Sequence, residues 1–124
     1  MTLKREFDKL PEYCQFEKNL NLIKNKWTVY LIRDMILGKK HFSEFKEDKP
    51  ELSNKILTQR LKELEENKLI EKCIEDSETS YYLTEKGRKF QNILYELAVL
   101  NIEEEYSGEE LEKVKKELKK LKEM

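Results

Sequence analysis

The chain has 124 residues, 41% of them Asp, Glu, Lys or Arg, and a formal net charge of −1 at pH 7. That length fits one domain, and no apolar run reaches the roughly 18 residues of a membrane-spanning helix. The N-terminal MTLKREFDKL carries charge where a secretory signal needs an apolar stretch. Two cysteines, Cys14 and Cys73, are too few for a secreted disulfide framework, so a cytoplasmic protein with no membrane partner is expected.

In chain order, Phe16, Leu20 and Ile23 stand at helical spacing and predict a helix over residues 15–24. A second helix follows in KWTVYLIRDMIL, where Trp27, Leu31 and Met35 repeat along one face. Val29, Tyr30, Ile32 and Ile36 widen that face, as in a central, well-buried helix. Gly38 is placed to end it in the left-handed conformation. His41-Phe42-Ser43-Glu44-Phe45 reads as a short helix pinned to the core by its two phenylalanines. The segment EDKPEL is a turn, because Pro50 blocks helix continuation. Ser53 then caps the next helix through its hydroxyl. A short helix, a turn and a capped helix make a helix-turn-helix unit.

Leu57, Leu61 and Leu64 give the capped helix one buried face, flanked by Ile56 and Arg60. After it come Leu69-Ile70, an acidic and hydroxylated loop, and the strand Tyr81-Tyr82-Leu83. Thr84 caps a long helix through Phe90, Ile93, Leu94 and Leu97, as far as Tyr106. Gly87 sits in its first turn, where close approach of a neighbouring backbone accounts for the missing side chain. Ser107-Gly108 breaks the chain, and Leu111, Val114, Leu118 and Leu121 form a short seam for the same domain or for a partner subunit. The expected fold is mainly α with a small β-hairpin, a winged helix-turn-helix.

A winged helix usually presents the second helix of its unit to the DNA major groove. On a helical wheel, the face opposite the leucines carries Lys55, Thr58, Gln59 and Lys62, with Ser53 and Asn54 at its N-terminal edge. Lys reaches guanine edges or phosphates, and Asn and Gln pair with adenine. Lys39, Lys40 and Arg60 are weaker candidates for DNA contact. Residues 1–60 hold 13 basic and 9 acidic side chains, against 12 and 17 in the remainder. Because phosphates sense charge over roughly 10 Å, near-neutrality of the whole chain does not exclude DNA. The competing reading of such a polar face is a solvated surface, and of the whole domain a protein–protein interaction module without specific DNA binding.

These residues together resemble the HxlR-type regulators, a branch of the winged helix-turn-helix transcription factors with MarR-like architecture. The resemblance rests on Cys14, Lys26-Trp27 and Phe42-Ser43-Glu44, then on LTQRLKELE from Leu57 to Glu65 and YLTEKG from Tyr82 to Gly87. It covers roughly residues 14–100. It implies a homodimer on a palindromic operator of double-stranded DNA, paired through residues 14–24 and 85–122. The corresponding division is an N-terminal arm (1–13), the winged domain (14–106) and a C-terminal helix for dimerisation or packing (107–124). Some family members sense electrophiles or oxidants at the position of Cys14, which the resemblance makes a redox-sensing candidate, with a small-molecule or oxidant effector. The alternative role for Cys14 is a small hydrophobe at a dimer interface.

Three departures stand out. The wing tip reads Glu75-Asp76-Ser77-Glu78 where the family often carries cations, Gln15 follows Cys14 in place of proline, and Asn25 replaces a glycine. An acidic tip repels phosphate, so little minor-groove contact is expected from the wing. Cys73 is expected to be structural. His41, alone of its kind, reads as a surface or capping residue rather than a metal ligand. No motif for catalysis, metal or cofactor is present, and the chain is not expected to be an enzyme.

Overall fold

The structure, a computed structural model, describes the backbone of residues 13–123 and the side chains of 16–122. The expected arm lies outside the described residues up to 12, and so does the side chain of Cys14. Helices α1 (Tyr13–Ile23), α2 (Lys26–Ile36), α3 (Phe42–Lys46) and α4 (Asn54–Glu66) come first. The hairpin β1 (Ile70–Glu75) and β2 (Glu78–Leu83) follows. Helices α5 (Glu85–Arg88), α6 (Phe90–Val99), α7 (Ile102–Glu105) and α8 (Gly108–Glu123) complete the chain. The fold is a winged helix-turn-helix, mostly helical with one antiparallel hairpin.

Local chemistry sets the helix ends. Asn25 caps α2, its Oδ1 accepting from Trp27 N at 3.0 Å. At the other end Gly38 takes φ +103° and the chain closes a Schellman motif, with Gly38 N on Met35 O at 3.1 Å and Lys39 N on Asp34 O at 2.9 Å. Helix α4 ends in the same way, with Lys68 N on Glu65 O at 2.9 Å and Leu69 N on Leu64 O at 3.0 Å. Here the left-handed residue is Lys68, at φ 61°, which costs about 1 kcal/mol relative to glycine. Thr84 caps α5, its Oγ1 accepting from Gly87 N at 3.1 Å.

Helix α2 is the centre of the core, with Leu31 and Ile32 fully buried against Phe45, Leu57, Leu61 and Leu64. Each buried leucine contributes about 1.5–3 kcal/mol. Phe42 packs on the edge of this cluster, so the short helix is held as its phenylalanines suggested. The same central helix also buries Asp34, whose carboxylate meets the buried ammonium of Lys49. Tyr30, expected within the apolar face of α2, is exposed and stands beneath the Arg33 guanidinium at 4.8 Å.

Two expectations are corrected. The first wing strand, on which Cys73 is expected, runs on to Glu75, and the second begins at Glu78 rather than Tyr81, so pairing extends from Ile70↔Leu83 to Glu75↔Glu78 and the polar loop shrinks to Asp76 and Ser77. Both turn residues have positive φ, 49° and 66°, the pattern of a type I′ hairpin. Charged and hydroxylated residues fill these strands because most of the hairpin is solvated. The expected long helix from Thr84 is divided into α5, α6 and α7, with interruptions at Lys89 and at Leu100-Asn101, and Tyr106 ends it. Helix α8 folds back on α6 of the same chain, where Leu121 is buried and Gln91 Nε2 donates to Leu121 O at 2.8 Å and Lys122 O at 2.9 Å. No described helix is long and apolar enough to cross a membrane.

Candidate nucleic-acid interface

Helix α4 is fixed at both ends and along one side. Ser53 Oγ accepts from Ile56 N at 3.1 Å, and Leu57, Leu61 and Leu64 are buried in the core. That anchoring turns Ser53, Asn54, Lys55, Thr58, Gln59 and Lys62 outward, and all six are exposed. The structure therefore gathers the main predicted reading residues on one face. Their chemistry is not equivalent. Lys55, Gln59 and Lys62 have no hydrogen-bond or ion-pair partner among the described residues, so their polar groups are available to a groove. Thr58 Oγ1 donates to Asn54 O at 2.8 Å, and the Asn54 amide oxygen accepts from Lys46 Nζ.

Two of the three weaker candidates are engaged by carboxylates. Arg60 is half-buried, with Nη1 on Glu63 Oε2 at 2.9 Å along the same helix. Lys39 Nζ pairs with Asp48 Oδ1 at 3.3 Å. Lys40 is exposed on the segment before α3, and its backbone oxygen accepts from Tyr81 N of the wing at 2.8 Å. Two lysines were not singled out in the sequence. Lys46, at the end of α3, reaches the first residue of α4 and adds a cation beside the reading face. Lys49 is buried in the turn, donating to Asp34, to Phe45 O at 3.1 Å and to Asp48 Oδ1 at 2.8 Å. The available signal was Asp34, a lone carboxylate in an apolar helix that needs a buried cation.

These ion pairs lock the turn between α3 and α4 onto α2. Arg33 adds a fork to Asp34 Oδ1, with Nε at 3.2 Å and Nη2 at 3.0 Å. The Lys49 hydrogen bond, with Lys39 beside it, holds the Asp48 carboxyl down at about 2. Backbone amides of Lys40 and His41 donate to Glu44 Oε1 at 3.1 and 2.9 Å and lower the Glu44 pKa. On the wing side, burial raises the Tyr81 hydroxyl pKa, with the Glu65 charge adding to it.

The wing tip is exposed and acidic, from Glu75 to Glu78. His41 ties it to the start of α3: Nδ1 lies 3.2 Å from Thr79 O, and Nε2 lies 3.3 Å from Glu78 Oε1. The lone histidine thus bridges the helical unit and the wing. Among the described residues no group of three or more His, Cys, Asp or Glu side chains could hold a metal ion. Cys73 is half-buried on β1, its Sγ 3.8 Å from Glu75 Oε1.

Comparison with known proteins agrees with this arrangement. Residues 22–107 match the model of the HxlR-like helix-turn-helix family. The chain is 34% identical over 86 residues to the HTH-type transcriptional regulator YodB of Bacillus subtilis, covering 67% of this chain and 77% of that protein. Its fold is similar to quinone-bound YodB from B. subtilis, with TM-score 0.62, 34% identity, and 69% and 93% of the two chains covered. It is also similar to the redox regulator HypR in its oxidised form, with TM-score 0.66, 31% identity, and 77% and 99% covered.

Proposed function

The chain belongs to the HxlR-like helix-turn-helix family of transcriptional regulators, and from that premise we propose that it binds a palindromic operator as a homodimer, reading DNA with α4. The observation that carries the reading is the exposed polar face of a helix anchored on its other side by three buried leucines. Lys55, Gln59 and Lys62 make the principal groove contacts, and Ser53, Asn54 and Thr58 approach phosphate and base edges at the helix N-terminus. Lys40 meets backbone phosphate. Lys39 and Arg60, engaged by Asp48 and Glu63, act through local charge. The acidic wing contributes little, so half-sites about one helical turn apart are read almost wholly by the two α4 helices. Residues 14–106 form the operating unit, and 107–124 brace it.

Regulation by a thiol oxidant or electrophile is the second part of the proposal. Cys14 lies in the first turn of α1, and a helix N-terminus favours a thiolate. YodB in its quinone-bound form and HypR in its oxidised form are among the similar structures, which supports the reading. Modification of Cys14 would shift the paired helices and with them the spacing of the α4 helices.

Gel-shift selection from genomic fragments, with and without oxidant, tests both parts. The wild type should bind with affinity that falls steeply with salt. Gln59→Ala with Lys62→Ala should abolish nanomolar binding while the thermal melt is unchanged, and Cys14→Ser should remove the oxidant response alone. Nanomolar binding by the double variant would sink the assignment of the reading face. Absence of any duplex affinity at low salt would favour the protein-association reading that the acidic wing invites.

A further inference from the structure

Hydrogen bonds already made inside the helix-turn-helix limit what its polar face can offer to a base. Asn54 and Gln59 carry the only side-chain amides on α4. An amide that reads adenine uses both halves, the oxygen accepting from N6 and the nitrogen donating to N7. Gln59 has both halves free of partners among the described residues. Asn54 does not, because its Oδ1 accepts from the Lys46 ammonium across the turn. Only the oxygen can accept from an ammonium, so the two Nδ2 protons are what Asn54 has left. One turn further along, Thr58 Oγ1 gives its proton to Asn54 O at 2.8 Å and keeps lone pairs and a methyl group.

The scaffold sets the meeting of Lys46 and Asn54, which are eight residues apart. Lys46 is half-buried at the end of α3, next to the fully buried Phe45. Asn54 opens α4, whose first turn is fixed by Ser53 Oγ accepting from Ile56 N at 3.1 Å. The turn between them is tied to α2 through Lys49 and Asp34. Lys46 forms no ion pair among the described residues, so no carboxylate draws it away from the amide.

We propose that Lys46 sets the base preference of Asn54, so that the first residue of α4 reads guanine and Gln59 reads adenine. The inference rests on α4 being the reading helix, whose N-terminal residues meet base edges. With its oxygen held, Asn54 donates to N7 or O6 of guanine, both of them acceptors. Adenine instead turns N6–H toward an oxygen that a cation already occupies. The ammonium repels that partly positive amino group and favours the acceptors of guanine. Lys46 is therefore a positioning residue, acting through the amide and not on the base.

Selection of randomised duplexes by the full chain tests the proposal, with the Asn54 position identified as the one whose preference disappears in Asn54→Ala. There the wild type should favour guanine over adenine by roughly tenfold. Lys46→Met, which keeps the packing of the stem and removes the ammonium, should turn that position to adenine. Lys46→Arg should keep guanine, because a guanidinium also donates to the amide oxygen. Neither variant should move the position that Gln59→Ala relaxes. Added to Asn54→Ala, Lys46→Met should shift nothing further. Guanine retained in Lys46→Met, with all sequences weakened alike, would make Lys46 a phosphate contact and overturn the proposal. A shift that persists beside Asn54→Ala would put Lys46 on the base itself and overturn it equally. A wild type that selects no sequence at all would instead remove the α4 reading, and this inference with it.

Discussion

Gly87 has no room for a side chain, since a Cβ there would stand 2.1 Å from Leu69 O. That carbonyl is not free to retreat, because it accepts from Thr84 N at 3.0 Å. Thr84 in turn donates through Oγ1 to Lys68 O at 2.6 Å and accepts from Gly87 N at 3.1 Å. The end of α4 is thereby knotted to the start of α5 across the base of the wing. Gly87→Ala should lose about 3 kcal/mol of stability in urea unfolding; a loss below about 0.5 kcal/mol would mean the knot yields easily. The position was legible in the sequence because a glycine inside the first turn of a helix has no use as a terminator. Lys68 was not legible, since its left-handed backbone is imposed by the Schellman closure and no glycine marks it. Among the reading residues, the wheel separated exposed from buried correctly, while the partners of Arg60 and Lys39 depended on geometry that spacing alone does not supply.

At the scale of elements, the helix-turn-helix is held by charge as well as by leucines. Lys49 and Asp34 are both nearly inaccessible, and removing one partner leaves the other charged and buried. Lys49→Met should therefore cost about 3–5 kcal/mol, and adding Asp34→Leu should restore most of it. Equal stability of single and double variants by chemical denaturation would refute the pairing. Asp48 adds a pH signature. Its folded pKa, about 2, lies below the ordinary 3.8, so its contribution is complete above that ordinary value and disappears as pH falls through about 2. Melting temperatures of wild type and Asp48→Asn should accordingly converge toward pH 2 and differ near neutrality. The apolar periodicity that revealed α2 and α4 is silent about such a network, because its members are separated by long stretches of sequence. The hairpin was also only partly legible. Its strands are mostly exposed and its turn is Asp76-Ser77, so neither apolar alternation nor the usual Asn-Gly or Asp-Gly signal was present.

At the scale of the whole molecule, part of the apolar surface left over forms a stripe on the helices that follow the wing. Ile93, Leu97 and Leu100 recur at helical spacing on α6 and its C-terminal end and are 47%, 58% and 71% exposed. Ile93 also lines a groove with Phe16 and Leu20 of α1. Helix α8 of the same chain packs against α6 yet leaves this stripe open. A single chain gains nothing from holding three large side chains in water, whereas a two-fold pairing would bury each stripe against its copy. The excess is legible in the sequence, where Leu94, Leu97, Val99, Leu100 and Ile102 give the late helix more apolar surface than one core face requires, but which of them remain outside depended on how α8 folds back. If the chain pairs as proposed, Leu97→Asp with Leu100→Asp should leave the melting curve of the winged domain nearly unchanged and sediment as a monomer where the wild type sediments as a dimer. Operator affinity should fall about 100-fold or more, because each half-site would then be bound without the effective concentration supplied by the other. A variant that still sediments as a dimer would place the interface elsewhere, and a monomeric variant with undiminished affinity would separate DNA reading from dimerisation altogether.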